Sequence, residues 1–180
     1  IHGQYHERNG TLYYACNNDL KLIDQTGKIV WDYAFTDGTI YLCGEFQDGT
    51  ALVRHDNLWE VYLSNYTIPP YDEIVSISPL GKKQWTLDLT TFNSSYFPNP
   101  IIGYNDTMLL FYVAENRSFE SGYGSDGNEL WTMDITPISI VGIANSGGRG
   151  PIYYYECKQA INATTTILSI VAFDSRYGNI

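Results

Sequence analysis

Three histidines are the first place to look for chemistry in this chain. His2 and His6 fall on one face of a predicted N-terminal strand, since residues two or four apart share a face, and Glu7 lies beside them; His55 is followed directly by Asp56. Imidazole combined with carboxylate is a transition-metal ligand set. A polar strand edge in water explains the same residues, and no metal is expected. Asp24 and Asp174 are acids by residue type, but each sits in a polar turn, where aspartate accepts hydrogen bonds from nearby backbone N–H groups. Residues 125–129 (Ser, Asp, Gly, Asn, Glu) share chemistry with a calcium loop but lack its length and alternating oxygen ligands; they read as a hairpin turn. The chain has no Gly-x-Ser-x-Gly elbow and no Walker-type glycine run before lysine. Gly147, Gly148, Arg149 and Gly150 precede no helical pattern and read as a loop. No catalytic residue and no cofactor is assigned.

Tyrosine offers a second kind of chemistry. Tyr13 with Tyr14, and Tyr153 with Tyr154 and Tyr155, are candidate stacking platforms for sugars or peptides. Consecutive strand residues point to opposite faces, so each cluster feeds two packing faces rather than one ligand platform. Asparagine is more telling. Asn9, Asn65, Asn93, Asn105, Asn116 and Asn162 are each followed two residues later by Ser or Thr, six acceptor patterns from thirteen asparagines. Chance would give roughly two. The excess points to N-linked glycans and an extracellular or cell-surface location. Cys16, Cys43 and Cys157 are too few for a disulfide scaffold; one bridge with a free thiol, or three buried thiols, both remain open.

The elements that carry these residues follow a repeat. Residues 20–31 read as a short alternating strand, a polar turn closed by Gly27, and a second strand carrying Trp31 four residues later. The pattern returns with Gly81 and Trp85 and with Gly127 and Trp131. It begins again at 170–180 with Gly178, where no tryptophan follows. These glycines are 54, 46 and 51 residues apart, a period of propellers or solenoids. Around each copy, turn residues such as Asn9 with Gly10, Asp48 with Gly49 and Asn105 with Asp106 divide the chain into short strands. The second unit carries an insertion, residues 57–71, holding Trp59, Pro69 and Pro70.

A four-stranded antiparallel unit recurring at this period is a propeller blade. The expected fold is therefore an all-β propeller of about four such blades, or an incomplete arc of a larger one. The blades are placed at 1–36, 37–91, 92–136 and 137–180, and the last lacks its outer strand. The apolar-Asp-x-x-Gly-Lys-x-x-Trp run from Ile23 to Trp31 resembles the tryptophan-docking motif of quinoprotein-like (pyrroloquinoline quinone-like repeat) propellers. Ser78 and Gly124 stand where that motif has the aspartate found at Asp24. The resemblance implies that each tryptophan packs over the next blade. Its enzymatic members imply a quinone, a calcium site and a full ring, some with adjacent cysteines; this chain has no adjacent cysteines and only four units.

Composition narrows the rest. The net charge of −10 argues against nucleic acid and anionic membranes as partners. The longest apolar runs, such as 108–114, fall far short of the roughly 20 residues that span a bilayer. The expected function is a non-enzymatic, glycosylated surface scaffold that binds protein partners or copies of itself, by strand addition along the open edge of residues 166–173. A quinone-dependent dehydrogenase fragment and a carbohydrate-binding propeller are the rival readings.

Overall fold

Short alternating runs punctuated by tight turns fold this chain as an all-β protein of antiparallel sheets. The computed structural model describes residues 4–8, 10–65, 67, 69–92, 94–96, 100–103, 106–136, 140–144, 152–162 and 165–174. For 4–8, 94–96, 140–144, 152–162 and 165–174 it describes the backbone alone. The chain divides into two units, Ile1–Asn93 and Ser94–Ile180.

In the first unit, β1 (Gln4–Arg8), β2 (Thr11–Cys16), β3 (Asp19–Ile23) and β4 (Ile29–Ala34) form one meander in chain order. A second sheet follows with β5 (Thr39–Glu45), β6 (Ala51–Asp56), β7 (Asp72–Ile77) and β8 (Lys83–Asp88). The alternation of each strand decides which residues meet. Tyr13, Ala15, Leu20, Leu22 and Phe35 of the first sheet pack against Ile40, Ala51, Val53, Val75 and Ile77 of the second. Each fully buried aliphatic side chain contributes about 1.5–3 kcal/mol. The second sheet is buried on its other face too, through Leu52, Ile74 and Ser76.

The 57–71 insertion leaves β6 as a helix, α1 (Leu58–Leu63), which the strand-based sequence reading does not contain. Asn57 closes its neck: its Nδ2 donates to Pro69 O, its Oδ1 accepts from the Tyr71 N–H, and its own N–H reaches Tyr71 O. Asn57 and Tyr71, the two ends of the insertion, are thereby held together above β6 and β7.

In the second unit, β11 (Met108–Ala114), β12 (Arg117–Tyr123) and β13 (Glu129–Asp134) run in meander order. Two short pieces, β9 (Ser94–Tyr96) and β10 (Ile101–Ile102), share the far side of β11. The sequence predicts one strand at 100–104 there. Pro100 has no N–H to donate, and β10 starts only after it. A further three-stranded sheet contains β14 (Ile140–Ala144), β15 (Ile152–Asn162) and β16 (Thr165–Asp174). The expected open edge of the fourth unit depends on residues 175–180, which lie outside the described residues.

Candidate functional site

The repeated hairpin is the most regular feature. In β3–β4, Asp24 N–H donates to Lys28 O and Gly27 N–H to Asp24 O, both at 2.9 Å. In β7–β8 the same two bonds join Ser78 with Lys82 and Gly81 with Ser78, both at 2.9 Å. In β12–β13 they join Gly124 with Asn128 at 2.9 Å and Gly127 with Gly124 at 3.0 Å. Gly27, Gly81 and Gly127 have φ of 81°, 72° and 80°. Beyond each turn the register slips once, between Leu22 and Ile23, Ser76 and Ile77, and Gly122 and Tyr123. The slip sets Trp31 opposite Leu22, Trp85 opposite Ser76 and Trp131 opposite Gly122. A spacing of four in sequence is thus a turn plus a bulge.

The tryptophans then find different seats. Trp31 reaches across to the second sheet, where its Nε1 donates to Pro79 O at 2.8 Å. Its ring lies on Gly81; a Cβ built there would stand 2.9 Å from Trp31 Cγ and Cδ2. Tyr13 flanks the same indole with ring centroids 5.8 Å apart. Trp131 instead covers Gly122 of its own sheet, where the indole occupies the space a Cβ would need. Gly178 lies outside the described residues.

His55 and Asp56, adjacent in sequence, separate onto opposite faces of β6. His55 is 6% exposed, its Nδ1 2.9 Å from Glu73 Oε1 and its Nε2 2.8 Å from the Asp37 carbonyl. The Tyr71 hydroxyl stands 3.1 Å from Nε2 and donates to Asp37 Oδ1 at 2.8 Å. Burial, then the Asp37 carboxylate, pushes the Tyr71 hydroxyl pKa upward. Phe35 packs on the imidazole with centroids 4.5 Å apart. The ring therefore clamps the β4–β5 connection to β7. On the other face, Arg54 binds Asp72 bidentately through Nε at 2.8 Å and Nη2 at 2.7 Å. Asp56 accepts from Leu58 N–H at the foot of α1. Burial, with Asp72 nearby, raises its carboxyl above the usual range. Among the described residues no three His, Cys, Asp or Glu converge on a metal position. The His2 and His6 side chains lie outside the described residues.

The remaining candidates are occupied locally. Asp24 Oδ1 accepts from the Thr26 hydroxyl, Thr26 N–H and Lys28 N–H, and these bonds hold its carboxyl below the usual range. Asp126 accepts from Asn128 N–H and Nδ2 in its own turn. Tyr13 is buried and its hydroxyl donates to Gly49 O. Cys16 and Cys43 are free thiols, and burial pushes Cys43 up to about 12. The side chains of Cys157, Tyr153, Tyr154, Tyr155 and Asp174, and residues 145–150, lie outside the described set.

Two acceptor asparagines have described side chains, and both are exposed in left-handed turns. Asn65 (φ 53°) follows α1, and Asn116 (φ 60°) pairs with Glu115 (φ 51°) in the two-residue β11–β12 turn. Asn is among the few residues that adopt this conformation readily. Asn162 ends β15, with only its backbone described, while Asn9, Asn93 and Asn105 lie outside the described residues. Leu58, Trp59, Tyr62 and Leu63 of α1 are exposed, which no pattern in the sequence signals.

The chain matches no protein-family model, and it matches no curated protein. Among solved structures it is similar to a crystal structure of a protein of unknown function from Bacteroides caccae. The two share 11% identity at a TM-score of 0.44, over 99% of this chain and 80% of that one. Among the described residues no helix is long and apolar enough to cross a membrane.

Proposed function

We propose that this chain is a non-enzymatic, N-glycosylated scaffold of the extracellular space or cell surface, built as an arc of stacked propeller-like blades that engages other proteins. The observation that carries the glycoprotein reading is the exposure of Asn65 and Asn116 in left-handed turns, each with its hydroxyl residue two positions on. The blade reading is supported by three equivalent hairpins, by Trp31 seated on the neighbouring sheet, and by burial of the second sheet on both faces. The His55 cluster supports a structural role, because both ring nitrogens are engaged by residues of the fold and the ring is almost wholly buried.

Glycopeptide mapping by mass spectrometry, on protein purified from its own source, tests this reading. Saccharide mass on the Asn65 and Asn116 peptides is the expected result. Unmodified asparagines at both positions would overturn the surface-glycoprotein assignment.

A further inference from the structure

The helix of the 57–71 insertion is built unlike a core helix. Of its six residues only Val61 is buried. Trp59 is 63% and Tyr62 59% exposed, yet their rings stack with centroids 5.7 Å apart and planes 27° from parallel. Stacked rings that stay this exposed form an aromatic shelf open to a ligand with a flat apolar face.

The position of the nearest acceptor asparagine identifies that ligand. Trp59 and Tyr62, three apart, share one side of the helix, and Asn65 stands three residues beyond Tyr62, just past the C-cap Ser64. The chain stays beside Tyr62 past the helix end, because Asn65 N–H donates to Tyr62 O at 3.2 Å and Ser64 N–H to Glu60 O. Asn65 then turns left-handed with its side chain exposed, and the Thr67 hydroxyl donates to Ser64 O at 2.9 Å.

We propose that the aromatic pair Trp59–Tyr62 is the seat of the N-linked glycan of Asn65, whose proximal pyranose rings lie against it by their C–H faces. This rests on the glycoprotein reading above and adds the contact the glycan makes. The polarised C–H bonds of a pyranose face complement the negative face of an aromatic ring. Attachment three residues away gives an effective concentration in the millimolar range, so a contact too weak to capture a free sugar is still formed. The occupant is thus part of the same molecule, and it covers apolar surface that would otherwise face water.

The test is residue-resolved oxidative footprinting of the glycoprotein made in its own host, comparing wild type with Asn65→Gln and with Thr67→Ala. Thr67→Ala abolishes the acceptor pattern while keeping the Asn65 side chain, although it also removes the hydroxyl bond to Ser64 O, and Asn116→Gln serves as control. Oxidation of Trp59 and Tyr62 is expected to rise several-fold in both sequon variants and to stay at wild-type level in the control. The melting temperature lost with the glycan should also vanish as a difference in a Trp59→Ala/Tyr62→Ala background. An occupied Asn65 in wild type with equal labelling in all variants would overturn the seat and leave the glycoprotein reading standing. Protection that persists without the glycan would assign the shelf to a second copy or another protein. An unmodified Asn65 removes the seat outright; if Asn116 is modified, the glycoprotein reading survives it.

Discussion

The turn at residues 24–28 and the turn at residues 78–82 are the same piece of backbone in different surroundings. Both carry the two hydrogen bonds that close the hairpin, and both place glycine at a positive φ: 81° at Gly27 and 72° at Gly81. Nothing lies within 4 Å of a Cβ built at Gly27, whereas Trp31 crowds the same position at Gly81. Glycine at 27 answers a local demand, a left-handed turn. At 81 it answers that demand and also seats an indole from a strand some fifty residues away. A repeat in sequence therefore copies the turn, while its load depends on what the neighbouring sheet brings to it.

The largest way to break this comparison is to remove the shared object. Trp31→Ala should cost about 3 kcal/mol, since it deletes a half-buried indole and its bond to Pro79 O. Urea unfolding would measure it, and a loss under about 1 kcal/mol would deny that the docked ring holds the two sheets together.

The glycines sharpen the comparison next. Gly27→Ala should cost about 1–2 kcal/mol, the penalty for a Cβ in the left-handed region alone. Gly81→Ala should cost more by about 1–3 kcal/mol, the typical overpacking penalty. In a Trp31→Ala background the excess should disappear, because the clashing ring is gone; additive losses would place the strain elsewhere.

The smallest effect separates Asp24 from Ser78, which hold equivalent positions. The Asp24 carboxyl is held below its ordinary range by Thr26 and Lys28, so the folded state binds its proton less readily than the unfolded chain does. Its contribution is complete above the ordinary aspartate range and is lost as pH falls through the lowered folded value. The gap between wild type and Asp24→Ala should thus be wider at pH 6 than at pH 3. Ser78, whose hydroxyl accepts from Lys82 N–H, carries no such charge, and Ser78→Ala should show the same gap at both values. A pH-independent Asp24→Ala gap would show that turn geometry, not charge, carries its role. Asp56 has the opposite sign: its raised carboxyl favours the fold when protonated, so Asp56→Asn should gain relative stability as pH rises above the aspartate range.

Much of the fold was legible because its signals are short-range. The Gly27, Gly81 and Gly127 hairpins, with the strands that flank them, follow from turn residues and alternation within a few positions. The misses have equally specific causes. Helix α1 is only six residues long, too short for helical periodicity to declare itself. The His55 cluster was hidden because its partners Asp37, Tyr71 and Glu73 come from three separate segments.

Sequence by itself determined the hairpin repeat, the antiparallel all-β class and the asparagine acceptor patterns, since each depends on residues within about four positions of one another. Tertiary structure alone decided that Trp31 would rest on Gly81, that His55 and Asp56 would work on opposite faces of one strand, and that Trp59 and Tyr62 would stand in solvent. Burial and contact depend on which distant strands fold alongside, and no local pattern encodes that.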